Sequence, residues 1–251
     1  MRIKLNFSPN MSVVPFDNQS NTNSFIHKCL GKDNKYHDAK NSYSVSALCG
    51  GKMDEKTKTL NFVDGGFIIV SSLDNDFMDK IITGVMRNSN LGFGMKFTGI
   101  DFVQENFHNG WNHFATLTPF IIKEYSDKNN YSFTTLNDDD FQQKVKSYLI
   151  NKLSKINKTL RLDDFDVKIT PHQSHKVKSI LVKNVINRAS QCHISIHTNK
   201  KVAELLYNIG IGQSTGSGFG TIYKTENKSM YSKESQTPYE KQESKNLVPI
   251  S

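Results

Sequence analysis

Gly210-Ile-Gly-Gln-Ser-Thr-Gly-Ser-Gly-Phe-Gly220 places five glycines within eleven residues. Ahead of it, Asn199 to Ile209 sets Val202, Leu205, Leu206 and Ile209 at i, i+3, i+4 and i+7. That is one face of a helix, with Asn199 as its N-cap and Gly210 where a left-handed C-cap residue is needed. Behind it, Thr221-Ile-Tyr223 reads as a short strand. The stretch therefore leads from helix into strand. A phosphate-binding Walker loop leads from strand into helix and carries Lys-Ser/Thr, which is missing here, so a nucleotide-binding loop is a poor reading. What remains is a run of backbone amides little screened by side chains. It could lie against another chain's sugar-phosphate or against its own sheet. A plain flexible connector has the same composition.

Working outward, the chain ahead of the loop divides into two runs of similar order. Arg2 to Phe7 alternates polar with apolar residues, the period of a half-buried strand. Asn18 to Asn23 reads as a polar turn. Phe25, Ile26, Cys29 and Leu30 share a helical face that Gly31 ends. Tyr43 to Cys49 is a strand closed by Gly50-Gly51. Thr59 to Val63 and Phe67 to Val70 are strands with Asp64-Gly-Gly66 as turn chemistry between them. A helix over Asp76 to Asn88 is opened by Asp74 or Asn75, and Leu91 to Val103 is extended, its glycines suggesting bulges. The order is β-α-β-β-α-β, the ferredoxin-like plan shared with RNA-recognition modules.

The second run repeats it. His113 to Lys123 is a strand with Pro119 at an edge or bulge, and Tyr131 to Leu136 a short additional one. Asp138 to Ile156 is a helix with three aspartates suited to its dipole. Phe165 to Thr170, Lys176 to Val185 and Gln191 to Thr198 are strands, followed by the Asn199 helix and the glycine loop. The fold class expected is α+β: two tandem ferredoxin-like (RRM-like) domains with a C-terminal glycine-rich loop. The domains are 1–110 and 111–225, and 226–251 is a disordered tail rich in Ser, Lys, Gln and Glu.

The chain has 251 residues, ample for a buried core, and 32 Lys and Arg against 24 Asp and Glu. The tail carries four Lys and four Glu, so the excess of +8 lies in the folded part and favours a polyanion partner. Cys29, Cys49 and Cys192 are odd in number with no Cys-x-x-Cys pair, as expected of reduced cysteines in a cytosolic protein. No apolar run approaches eighteen residues, and Met1-Arg-Ile-Lys-Leu5 starts as a strand rather than a secretory signal, so neither membrane nor export is indicated.

Gly210-Ile-Gly212, five residues, then Gly218-Phe-Gly220 resembles the C-terminal signature of the repeat-associated RNA-binding (RAMP) superfamily of CRISPR systems, and within it the repeat-processing endoribonuclease of the Cas-six type. The family's spacer usually holds Lys or Arg; Gln213-Ser-Thr-Gly-Ser217 holds neither. His113-Phe-Ala-Thr-Leu-Thr-Pro-Phe-Ile-Ile122 looks like the family's central strand, and Tyr36 to Leu48 looks like its stretch between first helix and second strand. The resemblance covers nearly the whole folded region. It implies a metal-independent endoribonuclease, without cofactor, that cuts CRISPR repeat RNA in a precursor transcript. It also implies a catalytic histidine at His37, which in its own right reads as an exposed loop residue.

A histidine titrating near neutrality can serve as base or acid, and a nearby cation or tyrosine can stabilise charge or donate. Lys40, Tyr43 and Lys52 are the local candidates. His27 stands near a position where some relatives carry an assisting tyrosine; it also reads as a helix-surface residue. RNA contacts fall to Gly210, Gly212, Gly216, Gly218, Phe219 and Gly220. Lys176 and Lys178 share a strand face, and Lys183 and Arg188 extend the basic run, placed where relatives contact RNA. Phe219 reads equally as core. His108 with His113, and His172 with His175, lack a zincin glutamate or neighbouring cysteine, so no metal is expected. Two alternatives stay open: an inactive subunit holding guide RNA in an effector complex, and a general single-strand RNA-binding scaffold. Effector subunits or a second copy of the chain would be further partners.

Overall fold

The computed structural model describes residues 1–31, 34–36, 42–127, 130–170, 172–182 and 185–225. Its first half runs β1 (Arg2–Phe7), α1 (Gln19–Leu30), β2 (Tyr43–Val45), β3 (Lys52–Asp54), β4 (Thr59–Asn61), β5 (Gly66–Ser72), α2 (Asn75–Arg87), β6 (Asn90–Gly92) and β7 (Met95–Phe102). The sheet order is β2-β5-β1-β7-β6, with antiparallel pairing throughout. Ile3, Leu5 and Phe7 of β1 enter one core with Phe25 and Ile26 of α1 and Phe77, Ile81 and Val85 of α2. The other face of β1 is covered too. Arg2 is 2% exposed, because the second half of the chain packs over it.

That second half runs β8 (Gly110–Thr116), β9 (Ile122–Tyr125), β10 (Tyr131–Thr134), α3 (Phe141–Ile156), β11 (Asp166–Lys168), β12 (Lys176–Val182), β13 (Val185–Gln191), β14 (His193–Thr198), α4 (Lys200–Ile209), a 3₁₀ turn (Thr215–Ser217) and β15 (Ile222–Lys224). Its sheet, β11-β14-β8-β15, has the same sequence-to-space order as β2-β5-β1-β7 in the first. Both halves are thus ferredoxin-like, and each is decorated by hairpins: β3–β4 in the first, β9–β10 and β12–β13 in the second.

Several local expectations change. Asn18 to Asn23 is no turn: α1 starts at Gln19, because Gln19 and Thr22 are buried with the helix's apolar face. Thr59 to Val63 does not pair with Phe67 to Val70; β4 pairs with β3 instead. Leu91 to Val103 is a hairpin turning at Gly92, Phe93 and Gly94, all at positive φ. His113 to Lys123 is two strands, with Pro119 in the connection between β8 and β9. Asp138 to Asp140 precede α3 rather than forming its first turn, and Asp138 accepts from the Thr135 amide.

The cap of α2 is as the sequence suggests. Asp74 accepts from the amides of Asp76 (2.9 Å) and Phe77 (3.4 Å), and also from the Tyr36 hydroxyl (2.9 Å). Replacing Asp74 with Ala is expected to cost about 1–2 kcal/mol in urea unfolding, because the orphan amides of the first turn lose their acceptor.

Candidate RNA-processing site

The glycine loop does not lie open; it is the seam between the halves. Asn199 caps α4 by accepting from the Val202 amide at 3.0 Å, and the helix ends where the Gly210 amide donates to Leu206 O at 2.8 Å. Gly210 has φ 70° and ψ 175°, positive φ without the left-handed helical ψ that its C-cap position suggested. The chain then folds back on itself, the Ile211 amide donating to Gly220 O (2.9 Å) and the Gly220 amide to Pro119 O (3.0 Å). A Cβ on Gly220, at φ 64°, would drive into the Ile211 carbonyl. Gly212 and Gly218 lie at positive φ against Ile121 and Gln19. Phe219 is buried with Ile121 and Ala189 rather than offered to solvent.

The loop is tied down from three sides. From α3, the Lys152 ammonium donates to the carbonyls of Ile209 (3.3 Å), Gly210 (3.0 Å) and Gly212 (3.1 Å). The Tyr148 hydroxyl also donates to Gly212 O at 3.0 Å. Burial pulls Lys152 down to about 7, whereas its three acceptors at a helix C-terminus favour the charged form. From β9, Gln213 clamps Lys123 on both sides, accepting from its amide (3.2 Å) and donating to its carbonyl (3.0 Å). From the first half, Ser46 bridges Gly218 in parallel, Ser44 and Thr221 share a hydrogen bond of 2.9 Å, and Gln19 donates to Ser217 O. Arg2 adds bonds to the carbonyls of Tyr207 (2.9 Å) and Ile222 (2.6 Å), its guanidinium 3.9 Å from the Tyr207 ring centroid.

Tyr43 is where the loop meets the segment expected to carry chemistry. Thr215 Oγ1 donates to Tyr43 O at 3.0 Å, and a Cβ on Gly216 would come within 2.5 Å of the Tyr43 ring. That ring stacks on Phe77 at 4.4 Å, its hydroxyl donates to Tyr36 O at 3.2 Å, and burial pushes its pKa up. At neutral pH Tyr43 is therefore a neutral group. Tyr36 is itself 2% exposed and donates to the carboxylates of Asp74 and Asp76. Tyr36 and Tyr43 flank residues 37–41; His37 and Lys40 lie outside the described residues. Lys52 is exposed on β3, 3.6 Å from Asp64.

The basic residues separate. Lys176 and Lys178 stand on one face of the β12–β13 hairpin, Lys178 opposite Ala189. Arg188 pairs with Ser179 and so projects from the other face, exposed. Lys183 lies outside the described residues. Burial, with Lys176 nearby, lowers the Lys178 pKa, and the Lys178 charge acts on the Cys49 thiol. Among the described residues, no group of three or more His, Cys, Asp or Glu could hold a metal ion.

The sequence reading missed Lys152 and Gln213. Lys152 shares the register of Val145, Tyr148 and Leu149, the apolar face of α3. A lysine on an apolar face is the signal that could have found it. Gln213 was noted only for not being basic.

Residues 103–223 match the family described as CRISPR associated protein Cas6, C-terminal. Among solved structures, the chain resembles a Cas6-related protein from Pyrococcus furiosus at 20% identity, over 91% of this chain and 99% of that one, with a TM-score of 0.78. It is also similar to a RAMP protein binding different RNA substrates (19% identity, 90% and 100% covered, TM-score 0.78). A Cas6 product complex is a more distant likeness (11% identity, 89% and 99% covered, TM-score 0.66). These likenesses are of fold. No curated protein sequence matches the chain.

Proposed function

From the match of residues 103–223 to the Cas6 C-terminal family, we propose that this chain is a Cas6-type CRISPR-associated protein, an endoribonuclease that binds and cuts the repeats of a CRISPR precursor transcript. The chemistry is a metal-independent transesterification. A base takes the proton of the 2′-hydroxyl and the 2′-oxygen attacks the adjacent phosphorus. The bond to the 5′-oxygen breaks, and that oxygen is protonated as it leaves. The products are a 2′,3′-cyclic phosphate (or the 3′-phosphate after hydrolysis) and a 5′-hydroxyl.

His37 supplies the base or acid, and Lys40 and Lys52 are the cations assigned to the phosphorane charge. Tyr43, buried and with its hydroxyl committed to Tyr36 O, is a positioning residue that ties Tyr36 to the glycine loop. Lys176, Lys178, Lys183 and Arg188 contact the RNA backbone. Working units of 1–110 and 111–225, in a cytoplasmic protein, complete the reading.

The observation that carries it is the fastening of the glycine loop to the flank of the His37 segment: Thr215 to Tyr43 O, and Tyr43 to Tyr36 O. Thr215 of the loop and Tyr43, at the edge of the segment assigned here to catalysis, are 172 residues apart in sequence.

The test is single-turnover cleavage of a labelled repeat RNA in EDTA. Wild type is expected to cut, RNA with one 2′-deoxy substitution at the cut site to survive, and His37→Ala to lose roughly 10²–10⁴ in rate. Unchanged cutting by His37→Ala would remove His37 from the mechanism. Tight repeat binding without cutting by wild type would make the chain a guide-holding subunit.

A further inference from the structure

The β9–β10 hairpin carries four residues on one face that neither the glycine signature nor the basic run includes. Tyr125 pairs directly with Tyr131, and Lys123 with Phe133, so all four project together. Tyr125 is 62% exposed and Tyr131 39%. Two exposed tyrosines on a two-stranded hairpin contribute little to a core, so packing alone does not account for them. The rings meet at an angle: Tyr125 and Tyr131 are 5.7 Å apart at 54°, and Tyr131 and Phe133 5.4 Å apart at 89°. They do not cover one another's faces, as parallel stacking would.

The charge on this hairpin is segregated. Lys123 Nζ stands on the aromatic face, 4.4 Å from the Tyr131 centroid. Glu124 points to the opposite face, where Lys144 neutralises it at 2.9 Å. The face is also continuous with the rest of the site. Phe133 packs on the small core of Ile121, Ala189 and Phe219, and Gln213 of the glycine loop grips the Lys123 backbone. A cationic face with upturned aromatic rings complements an unpaired, negatively charged strand, whose bases every aromatic surface can stack.

We propose that Lys123, Tyr125, Tyr131 and Phe133 form a stacking platform for unpaired bases of the RNA, held in register with the glycine loop by Gln213. This rests on the RNA-processing reading for its biological substrate, though not for its ligand chemistry. Gln213 then serves the site by fixing a second binding element rather than by touching phosphate itself.

The experiment compares wild type, Tyr125→Ala/Tyr131→Ala and Tyr125→Phe/Tyr131→Phe, with unfolding temperature checked for each. Fluorescence anisotropy is read with a 12-nucleotide oligouridylate, a blunt double-stranded RNA and the repeat RNA. The alanine pair is expected to weaken oligouridylate binding about tenfold or more, and the phenylalanine pair to restore it, since the ring rather than the hydroxyl carries the stack. Duplex binding is expected to change less than twofold. Oligouridylate binding by the alanine pair within twofold of wild type overturns the platform, leaving the face to a protein partner. Equal losses on single-stranded and duplex RNA also overturn it, as does failure of the phenylalanine pair to rescue. A wild type that binds oligouridylate through these tyrosines but never cuts the repeat leaves the platform standing and removes the nuclease reading. A wild type that binds no RNA removes both.

Discussion

Gly220→Ala is expected to be the most destabilising single-methyl change in the chain. At φ 64° a Cβ is strained in itself, costing about 1–3 kcal/mol. Here it would also be forced into the Ile211 carbonyl, whose residue is held to Gly220 by its own amide. Relieving that overlap must separate the two arms of the loop, which adds about 1–3 kcal/mol. The combined loss, about 2–6 kcal/mol, should lower the unfolding temperature by at least about 5 °C in a chain of this size. Gly99→Ala is the control: a Cβ there meets nothing within 4 Å, and its φ is not positive. It should leave stability unchanged or raise it by up to about 1 kcal/mol. Comparable losses in the two variants would show that the loop is slack and that the seam lies elsewhere.

Lys152→Met is expected to weaken the same seam from below, and to change how stability depends on pH. Methionine matches the volume of the stem but offers no donor to Ile209, Gly210 and Gly212. Leaving these carbonyls without it should cost about 2–4 kcal/mol near neutrality. The titration has a definite sign. The folded-state pKa is lowered to about 7 by burial, while an unfolded lysine titrates near ~10.4. Between those values the unfolded chain holds more protons, so wild-type stability rises with pH across the window, at up to ~1.36 kcal/mol per unit. Below about 7 and above ~10.4 this contribution is flat. The variant lacks the group and should lack the slope. Chemical unfolding of both proteins from pH 6 to 10 measures the difference; parallel curves would mean that the three carbonyls hold Lys152 charged throughout.

Both experiments probe one design feature. The ferredoxin-like halves each have their own core, and they are joined by polar contacts converging on α4 and the loop after it. Arg2, Ser44, Ser71 and Gln19 all reach carbonyls or hydroxyls of that segment. Damage to the loop should therefore reach Tyr43, which lies against Thr215 and Gly216, without dissolving either core.

The residues alone determined the two β-α-β-β-α-β runs, the helix cap at Asn199, a cap at Asp74 or Asn75, and a glycine loop joining a helix to a strand. These are local properties. Apolar spacing of 3.6 or 2 and a side-chain oxygen beside free amides act within a few residues. The tertiary structure alone decided which polar residues are buried and what they serve. Arg2 and Lys152 read as ordinary surface cations until the opposite half, or the end of α4, covers them. Gln213 looked like a missing arginine until β9 lay beside it. Strand β3, and the pairings of β4 and β10, were likewise decided by their partners, since three or four residues carry too little pattern to fix a pairing. The aromatic face of β9 and β10 exists only in the register that sets Tyr125 opposite Tyr131, and cross-strand register is a long-range choice that spacing along one strand does not make.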